Sequence, residues 1–121
     1  MDHRLKKDKQ FSYVYKKGKK FHTEHLTLFS VESKFRNYLI GYAISKKVGK
    51  ANKRNKLKRR LKEIIRKSEL PKNFHNYVLM AKVGATDINF QDLKSQVEKL
   101  FFKASEKWNM FYFHSKWYFM L

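Results

Sequence analysis

The chain has 121 residues, with 29 Lys or Arg against 10 Asp or Glu and a formal net charge of +19. Such an excess selects an anionic partner, nucleic acid first and an anionic membrane surface second. The length suits one domain with its own core, the absence of cysteine excludes disulfides and thiolate metal sites, and neither a signal peptide nor a bilayer-spanning helix is expected.

Asp8 is placed to cap a short helix that carries Phe11, Val14 and Tyr15 and ends at Gly18. Phe11 and Tyr15 are four residues apart and share a face of it. A short strand is expected over 21–23. In the next, over 26–31, Leu26 and Leu28 point one way and Thr27, Phe29 and Val31 the other. A turn region follows over 32–37. Tyr38, Ile40, Tyr42 and Ile44 then alternate with Leu39, Gly41 and Ala43. Both sides are apolar or small, the pattern of a central strand covered on both faces. The chain leaves it through a basic loop, Ser45-Lys46-Lys47-Val48-Gly49-Lys50.

Residues 51–67 read as one amphipathic helix, begun by Asn52 or its neighbour. Leu57, Leu61, Ile64 and Ile65 form one apolar stripe at helical spacing. Arg59, Lys62 and Arg66 fall on the opposite side, flanked by Lys56, Lys58, Arg60 and Lys67. From Lys46 to Lys67 there are twelve Lys or Arg residues and one acid, Glu63. Like charges so crowded repel one another, and a polyanion relieves that cost. The apolar stripe is needed for the core, which removes the membrane as partner.

Pro71 ends this segment. A nearly continuous apolar strand is expected over 77–83, closed by Gly84. Asn89 is set to cap a last helix, in which Phe90, Leu93, Val97, Leu100, Phe101 and Ala104 repeat at helical spacing. One domain is expected over 1–107. A tail over 108–121 crowds Trp108, Phe111, Tyr112, Phe113, Trp117, Tyr118 and Phe119 together. Such a tail packs on the domain or remains a sticky end, and no role is assigned to it.

The acids are scattered, with no D-x-D pair of the kind that holds divalent ions in a protein nuclease. His22 and His25 read as surface histidines, and no phosphate-binding glycine loop is present. The chain offers a binding surface and no active site, so no catalytic residue, protein-bound metal or protein-bound cofactor is expected. The surface has two parts. Lys46, Lys47, Lys50, Lys53, Arg54, Asn55, Lys56, Lys58, Arg59, Lys62 and Arg66 suit phosphates of a structured nucleic acid. Phe11, Tyr15 and Phe29 suit unstacked single-stranded bases where helix and strand share an open cleft, the alternative being that the Phe11 and Tyr15 face packs as core against the sheet.

These residues also form a family pattern. Phe11-x-x-x-Tyr15-x-x-Gly18 is followed by Gly41-Tyr42-Ala43-Ile44-Ser45-Lys46-Lys47-Val48-Gly49. Ala51-x-x-Arg54-Asn55-Lys56-Leu57-Lys58-Arg59 comes next, and then the Tyr77-Val78-Leu79-Met80-Ala81 strand. The chain resembles, over residues 4–105, the protein subunit of bacterial ribonuclease P. The resemblance implies an α+β domain of order α-β-β-β-α-β-α, with helices packed on a four-stranded sheet. It also implies a left-handed β-α-β crossover, as in the ribosomal protein S5 domain 2-like fold.

By the same resemblance the partners are the ribonuclease P RNA and precursor tRNA, in the cytoplasm and not on DNA. The chain is then the non-catalytic subunit of an endoribonuclease whose RNA, with Mg2+, removes the 5′ leader. Arg54, Asn55, Lys56, Lys58 and Arg59 match the family's basic motif, and Lys62 stands where arginine is frequent. Phe11, Tyr15 and Phe29 match the aromatics of a leader-binding cleft. Lys56 replaces an arginine, which keeps a charge and removes a bidentate fork. The alternative from another class is a structural protein bound to ribosomal RNA or the nucleoid.

Overall fold

The computed structural model describes residues 3–120, and their side chains over 3–105. Helix α1 (Asp8–Lys17) is followed by strands β1 (Lys19–His22), β2 (Leu26–Glu32) and β3 (Leu39–Ala43). A single 3-10 turn (Lys46–Val48) leads into helix α2 (Ala51–Ser68), then strand β4 (His75–Ala81) and helix α3 (Phe90–Met120). This is the expected α+β order. The sheet runs β1-β2-β4-β3. β1 with β2 and β2 with β4 are antiparallel, whereas β3 and β4 are parallel neighbours. A parallel pair needs a long crossover, and here α2 supplies it.

Strand alternation divides the apolar residues between two layers. Leu26, Leu28, Ile40, Tyr77 and Leu79 face α2 and α3, where Leu57, Leu61, Ile64, Ile65, Val97 and Leu100 complete the larger core. Phe29 and Val78 face α1, with Val14 and Leu5. The N-terminal segment covers the outer edge of β3: Ile40 N–H donates to His3 O (2.7 Å) and Leu5 N–H to Ile40 O (3.1 Å). An otherwise open strand edge is thereby paired.

Several boundaries differ from the sequence expectation. Lys7, not Asp8, is the N-cap of α1, and Gln10 Oε1 accepts from the Lys6 and Lys7 N–H groups (3.0 and 3.1 Å). Gly18 does end this helix. A Cβ there would lie 2.4 Å from Val14 O, a contact only glycine permits. β1 begins at Lys19, two residues early, because pairing with Ser30 to Thr27 sets it and not an alternation of its own. α2 begins at Ala51, beside Asn52 as expected, and Asn52 Oδ1 accepts only from the adjacent Lys53 N–H. β4 spans 75–81 and stops before the exposed Val83, since its partner β2 starts at Leu26 opposite Ala81.

Asn89 caps α3 as expected, accepting from Asp92 N–H at 2.8 Å. That helix continues through Met120. The aromatic side chains from Trp108 to Phe119 lie outside the described residues.

Candidate nucleic-acid interface

At about 100° per residue, the buried stripe of α2 puts Asn55, Arg59 and Arg66 on the outward side. Leu57, Leu61, Ile64 and Ile65 are all buried, and Arg59 is exposed. Lys58 and Lys62 lie on the flank toward β3, with Lys62 Nζ 5.9 Å from the Tyr42 ring centroid. Lys56 and Arg60 lie on the other flank, where they line a cavity of about 360 Å³ with Arg59, Glu63 and Phe90.

Arg54 departs from the rest. Helical geometry sets it near the apolar stripe, and it is half-buried. Its Nε–H donates to Gly49 O at 3.0 Å, which ties the preceding loop to the first turn of α2. Arg54 therefore braces the loop that carries Lys46, Lys47 and Lys50.

The charge is compensated unevenly. Glu63 accepts from Arg66 (3.0 Å) and Lys67 (3.2 Å), and these hydrogen bonds hold its carboxyl below the usual range. The cations of the last turn also sit at the negative end of the helix dipole. At the other end no acid stands in the first turn, and Lys50 caps without a side-chain bond. Lys53 reaches Asp87 only at 3.9 Å. Among the described residues, Lys46, Lys47, Lys50, Lys56, Lys58 and Arg59 form no ion pair. Cations at a helix N-terminus oppose its dipole, and free N–H groups there attract anions.

The second part lies on the other face of the sheet. Tyr15 meets Phe29 edge-on, with centroids 4.9 Å apart at 84°. Lys20 Nζ stands 5.6 Å from the Phe29 centroid. Phe11 lies over Gly41, where a Cβ would come within 2.4 Å of its ring. The three aromatics are brought together, but unequally exposed: Phe29 is 8% accessible and Tyr15 37%. Tyr15 is thus the most exposed of the three rings, backed by Phe29, while half-buried Phe11 fills the gap over β3.

Two residues that the motif did not single out border this face. Lys20 is one. The other is His22, whose Nδ1 lies 3.1 Å from Thr27 Oγ1. Its pKa is lowered by desolvation and by the Lys82, Lys20 and Lys103 ammoniums, so the ring favours its neutral form. Register across β1 and β2 creates this cluster, and spacing along the chain carried no signal for it. His25 instead joins Gln96, whose side chain also holds Thr23.

Among the described residues no three His, Cys, Asp or Glu side chains gather to hold a metal ion, and no helix is long and apolar enough to cross a membrane.

A family model described as Ribonuclease P matches residues 1–105. A ribonuclease P protein component from Clostridioides difficile is 37% identical over 98 residues, covering 79% of this chain and 86% of that protein. One from Finegoldia magna is 34% identical over 106 residues, covering 86% and 92%. The solved RNase P protein of Staphylococcus aureus superposes with a TM-score of 0.80 at 25% identity, over 86% of this chain and 96% of that one. The RNase P protein of Thermotoga maritima shares the fold, with a TM-score of 0.74 at 23% identity over 81% and 94%.

Proposed function

The chain belongs to the ribonuclease P protein family, a protein subunit that serves tRNA 5′ processing, and on that premise we propose how its two surfaces divide the work. The membership decides against a ribosomal or nucleoid structural protein. The ribonuclease P RNA docks on the loop and α2, where Lys46, Lys47, Lys50, Lys53, Asn55, Lys56, Lys58 and Arg59 meet its phosphates. Arg54 shapes this surface, and Lys62 and Arg66 extend it. The 5′ leader of precursor tRNA runs over the α1 face, with a base against Tyr15 and Phe29 and phosphates near Lys20.

One observation carries this reading. A single sheet bears on one face a cationic helix whose N-terminal half is largely uncompensated, and on the other an aromatic set with its own lysine. Two polyanions repel each other, and a +19 protein between them lowers the cost of bringing them together. The cleavage chemistry and its Mg2+ are placed on the RNA, with the protein acting in the cytoplasm by binding and positioning.

The test compares precursor and mature tRNA. Adding the protein to the ribonuclease P RNA should strengthen binding of the precursor more than that of the mature tRNA. Tyr15→Ala should shrink the difference. Equal strengthening of both substrates would remove the leader role and leave only the RNA-docking surface.

A further inference from the structure

A cavity of about 560 Å³ opens between the N-terminal segment, β3 and the second half of α2. It lies on the α2 face of the sheet, away from the α1 aromatics. Its volume is in the range of small-ligand sites, about 300–1,000 Å³. The His3 and Tyr38 rings form one wall, stacked with centroids 4.0 Å apart and 7° between planes. His3 is held in place three ways: by the stack, by Nδ1 at 2.9 Å from Tyr38 O, and by its backbone pairing with Ile40. Tyr42, Lys62, Arg4 and Arg66 also line it. Among the described residues of the lining, Glu69 is the only acid.

The cavity pairs a preorganised aromatic stack with the cations of Arg4, Lys62 and Arg66. Flat rings beside cations suit a nucleotide, since every base has a face to stack and every phosphate a charge to neutralise. Glu69 can accept from the amino group of a base. We propose that this cavity takes one unpaired nucleotide of a bound RNA, with the base extending the His3–Tyr38 stack and the phosphate at Lys62. The inference rests on the RNA-binding reading above and adds a nucleotide-specific contact that neither the basic helix nor the leader face provides. The nucleotide comes either from the ribonuclease P RNA or from precursor tRNA.

The reconstituted holoenzyme tests it. Tyr38→Leu keeps apolar bulk and removes the stacking face, so RNA affinity should fall about tenfold while the thermal midpoint stays put. Tyr38→Trp should restore binding. His3→Ala, near the chain end, gives a second reading if Tyr38→Leu folds poorly, with a loss in the same direction. The salt dependence of binding should keep its slope in Tyr38→Leu, since the change removes a stacking face and no charge. A photoreactive p-azidophenylalanine at position 38 should crosslink to one unpaired nucleotide, and mapping it tells the two RNAs apart.

Wild-type affinity in both Tyr38→Leu and His3→Ala, or crosslinks spread over paired nucleotides, would overturn the site. Arg59→Ala, run alongside, separates the two readings. If it weakens binding and the cavity variants do not, only this inference fails. If it too binds normally, the docking surface on α2 fails first.

Discussion

The two halves of α2 carry the same sign of charge and differ in what answers it. In the C-terminal half Glu63 bonds Arg66 and Lys67, and the helix dipole favours cations. In the N-terminal half no acid stands in the first turn, the dipole opposes the charge, and Arg59 has no ionic partner among the described residues. A count of basic residues treats the halves as equal. Their local electrostatics make one half a largely settled surface and the other a surface that gains by meeting phosphate.

The largest effect should come from the seam that both halves share. Leu61 is fully buried beneath them, and Leu61→Ala should cost roughly 2–5 kcal/mol in denaturant unfolding. RNA affinity should hold wherever the variant remains folded. Destabilisation by Arg59→Ala with unchanged RNA affinity would mean the helix faces the other way.

Next come the two arginines of the N-terminal half. Arg59→Ala should lower RNA affinity about tenfold and reduce the salt slope by about one, with stability within about 0.5 kcal/mol. Arg54→Ala should lose both: affinity, and about 1 kcal/mol of stability from the bond to Gly49 O. Salt titrations paired with thermal melts separate the two. Identical behaviour of these variants would erase the distinction between a presenting and a positioning arginine.

The smallest effect sharpens the contrast most. Glu63→Gln releases Arg66 and Lys67, so RNA should bind a few-fold tighter with a steeper salt dependence. Acid should mimic it. The folded-state pKa of Glu63 lies below its ordinary value, so its stabilising pairs are intact above the ordinary carboxylate range and are lost as pH falls through the lowered value. Affinity measured across that range should rise more in the wild type than in Glu63→Gln, where only the other acids gain protons. A wild type that gains nothing in acid would show that the C-terminal half was never held back by its acid.

Much of this was legible along the chain. Local rules carry over when the partner of a residue is a few positions away. The apolar stripe of α2 is buried as its 3.6-residue period requires, and the Asn89 cap needs only its own first turn. The alternation in 26–31 places Phe29 on the α1 face for the same reason. Ends of strands were less legible, because β1 and β4 take their limits from β2 across the sheet.

Charge, period and motif are properties of neighbours in the chain, so the basic character, the apolar stripe of α2 and the family pattern were readable there, and the α+β order came with the family pattern. Tertiary structure alone decided which cations are answered and which are not. It drew Arg54 inward to Gly49, set Lys20 beside Phe29, and brought His3 onto Tyr38 across 35 residues. Each of these depends on sheet register or on the docking of one element against another. Register and docking are set by the whole core at once, so no local pattern encodes them.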